Sequence, residues 1–146
     1  WTFQIFRYRA NATTSALSDF GSPTADAQML STGSGSSTQL GGFINGASAT
    51  PNVLSSVTLG LTVHSAQLWC VGADANIQVD STLTTAVAAG GALAADTVAI
   101  GVGQTASGTY FLSDTSHAFL MCCSAKPSAG EITALMAWAQ SYWGTP

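Results

Sequence analysis

Five groups of side chains in this chain have types and spacings that could do chemistry. The first is the acids. Asp74, Asp80, Asp96 and Asp114 fall in separate stretches with no close paired spacing, and Glu131 is the single glutamate. Hydrolysis of a glycosidic bond needs two carboxyl groups flanking it, and this distribution supplies no such pair. The second is His64 and His117, each inside an apolar stretch. Either could enter a Ser/His/Asp arrangement, but no Gly-x-Ser-x-Gly elbow accompanies them, and a lone histidine in a strand reads as a packed structural residue. The third is Cys70, Cys122 and Cys123, an odd number without metal-type spacing. They are expected to be buried free thiols acting as small apolar residues, with a Cys70–Cys122 bridge as the other option. The fourth is a set of loop polar groups, Asp74, Asn76, Gln104 and Ser107, that could line a ligand groove. Asp74 and Asn76 with Asp114 could also offer oxygens to calcium, which needs six to eight of them, although Asp and Asn equally serve as turn formers. The fifth is Trp138 and Tyr142, four residues apart, which could stack on a sugar ring or meet a neighbouring subunit. The chain is expected not to be an enzyme and to need no cofactor.

These groups depend on the elements that carry them. The clearest lies at the end. Phe111 to Cys123 runs into a continuous apolar stretch, His117 to Cys123, which predicts a strand buried on both faces. Ser128 followed three residues later by Glu131 is a capping-box pattern. Ile132, Leu135, Met136, Ala139 and Trp143 then fall on one helical face, and Gly144 stands where a left-handed cap belongs.

Upstream, Trp1 to Arg9 alternates as a strand with aromatics on both faces. Asn11 to Ala27 reads as a polar loop and contains the formal glycosylation sequon Asn11-Ala12-Thr13. Gln28 to Thr32 is predicted as a strand, Gly33 to Thr38 as a turn, and Gln39 to Asn45 as a strand ending at the hairpin signal Asn45-Gly46. Pro51 to Leu61 and Val63 to Val71 are β segments. Gly72 to Asn76 makes the turn to one alternating strand through Ile77, Val79, Ser81 and Leu83. Ala86 to Ala95 reads as a loop around Gly90-Gly91, Thr97 to Val102 as a strand and Gly103 to Gly108 as a loop. Eight or nine short strands and one terminal helix predict an all-β fold, an antiparallel sandwich.

Charged residues make up only 7% of the 146 residues, against about 25% in ordinary soluble domains. Hydrophobic residues reach 47%. A surface with so little charge is expected to be covered by other protein subunits, in a homo-oligomer or a large assembly. The net charge of −4, with Arg7, Arg9 and Lys126 the only basic residues, excludes nucleic acid and anionic membrane surfaces as partners, since both require clustered cations. No apolar run reaches the roughly 18 residues of a membrane span. The length suits one domain, residues 1–146, and an opening at Trp1 reads as a piece of a longer polypeptide.

From about Ala66 to Gly144 the order of motifs resembles the laminin-G-like, concanavalin A-like lectin and glucanase jelly rolls of the bacterial and phage type. It runs through the Gly-Ala-Asp-Ala-Asn turn, IQVDSTL, an Ala/Gly loop, VAIGVG, a Thr/Ser/Gly loop and the closing YFLSDTSHAFLMCCSAKPSAGEITALMAWAQSYWG. Ser128, Glu131, Ile132, Leu135, Trp143 and Gly144 match that group's ending. Phe119 stands where its members often have an acid, and Cys123-Ser124-Ala125 where they often have Tyr-Asn-Arg. The resemblance implies a jelly roll whose glucanases use a Glu-x-Asp-x-x-Glu strand absent here, and whose lectins bind calcium and sugar through loop Asp and Asn. Two functions are therefore expected. One is a non-enzymatic structural or adhesion module of an extracellular assembly, such as a phage capsid decoration or tail protein, with Phe6, Tyr8, Trp138 and Tyr142 in subunit contacts. The other is a carbohydrate-binding lectin domain on a secreted or cell-surface protein.

Overall fold

A computed structural model describes residues 1–8, 15–19, 28–32, 38–44, 52–71, 73–86, 99–100, 102–104, 110–112, 115–123 and 125–146. Twelve strands and one helix follow in order among them: β1 (Thr2–Tyr8), β2 (Ser15–Asp19), β3 (Gln28–Thr32), β4 (Gln39–Ile44), β5 (Val53–Thr58), β6 (Val63–Val71), β7 (Asp74–Val79), β8 (Thr82–Ala86), β9 (Ala99–Ile100), β10 (Val102–Gln104), β11 (Tyr110–Leu112), β12 (Thr115–Cys122) and α1 (Ala129–Trp143). The first sheet has the order β12-β1-β6-β7-β8, the second β5-β4-β3-β2-β9, and β10 pairs with β11. Every ladder is antiparallel. The fold is an all-β sandwich closed by one short C-terminal helix.

Alternation along β1 and β6 explains the layering, because successive side chains point to opposite faces. Phe6, Ala66 and Leu68 join Ala75, Ile77 and Val79 of β7 on the inner face. There they meet Leu40 of β4, Val53 of β5 and Leu59. Trp1, Phe3, Ile5 and Trp69 emerge on the other face and pack under Leu135, Met136, Ala139 and Trp143 of α1. The first sheet is thus buried on both faces near its middle, which is why Phe3, Ile5 and Phe6 are wholly buried. Phe6, expected in subunit contacts, instead belongs to the core. Gly42 of β4 lets the sheets approach closely, since a Cβ there would lie 2.5 Å from Leu68 Cδ1 and 3.0 Å from Val53 Cγ1.

Several sequence expectations need correction. The stretch Asn11 to Ala27, read as a loop, contains β2, held between β3 and β9. The Gly72–Asn76 turn is shorter than expected, because Asp74 to Asn76 already pair with Val71 to Trp69. The single strand through Ile77 and Leu83 is a hairpin, broken at Asp80 and Ser81 and rejoined by the pair Val79–Thr82. Asp80 has φ 52°, and hairpin turns of the primed types require positive φ at this first central position. Gln104, placed in a loop by the sequence, ends β10. The apolar run 117–123 is not buried on both faces. β12 lies at the margin of the first sheet, paired with β1 alone. Its ladder steps from Ile5–Phe119 to Phe6–His117, leaving exposed Ala118 as the extra residue of a bulge.

The cysteines also differ from expectation. All three are free thiols, Cys70 half-buried but Cys122 and Cys123 exposed. Partial burial raises the Cys122 thiol above its ordinary pKa, with the chain's amino group opposing the rise and Cys123 adding to it. The sequon at Asn11, the hairpin signal at Asn45-Gly46, the Gly90-Gly91 loop, Asp96 and Asp114 lie outside the described residues. No helix among the described residues is long and apolar enough to cross a membrane.

Candidate functional site

The helix is fixed first by its ends. The Ser128 amide donates to Glu131 Oε2 at 2.8 Å and the Ser128 hydroxyl accepts from the Glu131 amide at 3.4 Å. This is the reciprocal box read from the sequence. The Ser128 hydroxyl also donates to Glu131 Oε2 at 2.7 Å, and this bond, with that from the Ser128 amide, holds the Glu131 carboxyl below its ordinary pKa. At the other end Gly144 takes φ 68° and its amide reaches the Gln140 carbonyl at 3.1 Å. Rotation is set by the buried face. Met136 Sδ accepts from Gln67 Nε2 at 3.5 Å, and Gln67 Oε1 in turn accepts from Trp1 Nε1 at 2.9 Å. Lys126 lies 4.3 Å over the Trp69 ring, closing the approach to the helix.

That rotation leaves a second face outward. Ala134, Ala137, Trp138, Ser141 and Tyr142 are exposed, and Glu131 is the only charged residue of α1. Trp138 and Tyr142 are 38% and 71% exposed. Their rings stand 6.1 Å apart and 17° from parallel. Phe119 of β12 meets Trp138 edge-on at 5.1 Å, and Trp143 meets Tyr142 at 5.2 Å. The result is a braced aromatic surface in water with no charge beside it on the helix. Its capacity is for apolar contact and ring stacking.

Asp74 and Asn76 do not join that surface, for they stand on β7. Asn76 is buried directly opposite Trp69. Its Nδ2 donates to the Asp74 carbonyl at 3.2 Å and its Oδ1 accepts from Thr85 Oγ1 at 2.7 Å. One end of the amide thus braces β7 itself and the other ties it to β8. Gln104 sits on β10, and Ser107 lies outside the described residues. Of the six sequence candidates, the structure pairs Trp138 with Tyr142 and Asp74 with Asn76. Among the described residues no group of three or more acidic, histidine or cysteine side chains could hold a metal ion.

One cluster escaped sequence reasoning. His64 and Asp80, sixteen residues apart, meet at 2.8 Å between Nδ1 and Oδ2, and both are buried. Asp80 Oδ1 accepts from the Ser65 amide at 2.9 Å, while the Asp80 amide donates to the Ser65 carbonyl at 2.9 Å. Burial by itself lowers the His64 pKa, but the hydrogen bond and charge of Asp80 outweigh it, so the net shift is upward. His117, half-buried on β12, is shifted downward by desolvation. The signal for the His64–Asp80 pair lay in the hairpin register. Once Ala66 is set opposite Val79, Asp80 falls beside Ser65 and within reach of His64.

No family model, curated protein or solved structure matches this chain.

Proposed function

We propose that this chain is a non-enzymatic structural and adhesion module with a concanavalin A-like jelly-roll fold. On this reading it packs against other protein subunits in an extracellular assembly of the kind a phage capsid decoration or tail protein joins. The observation that carries the proposal is the outward face of α1, where Trp138 and Tyr142 stand exposed on a helix bearing one charge. Aromatic residues with charge excluded are the composition of an interface core. The chain-wide scarcity of charge, 7%, points the same way, because little on the surface opposes association. The test is light scattering of the wild type and of Tyr142→Arg and Trp138→Ala. Both variants should remain folded and shift the population toward monomer.

A carbohydrate-binding reading has one observation in its favour, the near-parallel Trp138–Tyr142 pair. It is the weaker of the two, since Asn76, the amide offered for sugar hydroxyls, is engaged within the sheet at both ends. Glycan-array binding, with and without calcium, that disappears in Trp138→Ala would favour it over the assembly reading.

A further inference from the structure

The far side of the His64 ring carries the remaining chemistry. A carboxylate only accepts, so Nδ1–H is the donor to Asp80, and the neutral ring presents Nε2 as an acceptor. Nε2 lies 3.2 Å from Thr62 Oγ1, 3.2 Å from the Gly60 amide nitrogen and 3.1 Å from the Gly60 carbonyl oxygen. Asp80, His64 and Thr62 therefore stand in series as carboxylate, imidazole and hydroxyl. The second carboxylate oxygen is pinned by the Ser65 amide. This series makes a hydroxyl nucleophilic: the ring takes its proton, and the carboxylate fixes the tautomer and supports the imidazolium. The exposure runs in the matching order. Asp80 and His64 are buried, whereas Thr62 and its neighbours Gly60 and Leu61 are exposed, as are Ser81 and Thr82 across the hairpin. No charged residue occurs from Leu59 to Val63, and Arg7 stands opposite Val63 on β1.

We propose that Thr62 is an activated hydroxyl that accepts a small acyl group from an ester or thioester with a good leaving group. The Thr62 Oγ–carbon bond forms as the Oγ proton passes to His64 Nε2. The bond from carbonyl carbon to leaving oxygen or sulfur then breaks, and the leaving group takes the proton from Nε2. The products are O-acyl Thr62, one alcohol or thiol, and neutral His64. Once Nε2 holds the proton it donates to the Gly60 carbonyl oxygen 3.1 Å away, which supports the imidazolium beside Asp80. Asp80 acts through the ring as a positioning residue. This is a stoichiometric modification, separate from the assembly reading.

The experiment treats the folded chain with p-nitrophenyl acetate, follows nitrophenolate release and maps the acetyl group by peptide mass spectrometry. One acetyl group is expected on Thr62. Thr62→Val should abolish that adduct and Thr62→Ser should retain it. His64→Gln should slow it by about 100-fold or more, the range of general-base assistance. Asp80→Asn keeps a residue tolerant of positive φ and an oxygen for the Ser65 amide. It should slow acylation and move the midpoint of its pH profile downward, because Asp80 is the charged group that faces the ring among the described residues. If His64→Gln unfolds by circular dichroism, the Thr62→Val and Thr62→Ser pair still decides the matter. Acetyl found only on Lys126, on the chain's amino group or on other hydroxyls, or unchanged release in Thr62→Val, would overturn the proposal.

Discussion

Replacing Asp80 by alanine removes three things at once: the 2.8 Å partner of His64, the 2.9 Å acceptor of the Ser65 amide and a side chain suited to φ 52°. An orphaned buried amide costs about 1–3 kcal/mol. Alanine in the left-handed region adds roughly 1 kcal/mol, and breaking a buried ion pair by removing one partner costs about 3–5 kcal/mol in total effect. These overlap, so a loss of about 4 kcal/mol is expected, a large share of the roughly 5–15 kcal/mol that holds a domain folded. Asp80→Asn retains the backbone preference and the acceptor for Ser65, and should lose only about 1.5–2 kcal/mol, the worth of a charge-assisted hydrogen bond. Urea denaturation near neutral pH measures both, provided the slope with denaturant is unchanged. An alanine variant within about 1 kcal/mol of wild type would contradict this role for Asp80. So would an asparagine variant as unstable as the alanine one, since neither fits a carboxylate that closes the β7–β8 hairpin against β6.

Further outcomes follow from the structure. The two histidines should titrate on opposite sides of the ordinary value of 6.5, His64 above and His117 below, and imidazole resonances followed by NMR would read this directly. Because the folded pKa of His64 is raised, its pairing stabilises fully below the unfolded pKa and is lost as pH rises through the folded one. The stability gap between wild type and Asp80→Asn should therefore narrow as pH rises through that window; a widening gap would contradict the assignment. Gly42→Ala should destabilise by about 1–3 kcal/mol through overpacking against Leu68 and Val53. Gly60→Ala, whose Cβ meets only Thr62 Oγ1 at 3.7 Å, should stay within about 0.5 kcal/mol on thermal unfolding. Ser128→Ala should cost about 1 kcal/mol by loss of the cap, seen as a lower midpoint in the same scan.

The legible parts of the chain were those written in local chemistry. Ser128, Glu131 and Gly144 specify the helix ends by hydrogen bonds within a few residues, and β3 and β6 occupy the stretches Gln28–Thr32 and Val63–Val71 that alternation and β-branched content predict. The misreadings share a different cause. β2, with the sequence SALSD, has the composition of a loop and becomes a strand only between β3 and β9. Ile77, Val79, Ser81 and Leu83 keep a period of two straight through a reversal, because the turn uses two residues and an aspartate rather than glycine at its positive φ. The apolar run of β12 marks a strand covered on one side by α1, a distinction composition does not encode. At the site, Trp138 and Tyr142 were readable as lying off the apolar helix face. The His64–Asp80–Thr62 series was not, since it needs the β6–β7 register.

The proposed subunit contact on the outward face of α1 is read out by the native mass of the chain at rising concentration, measured by light scattering. A defined oligomer or larger particle is expected, which Tyr142→Arg converts to monomer without changing its thermal unfolding. A wild-type chain that remains a monodisperse monomer at high concentration would contradict it.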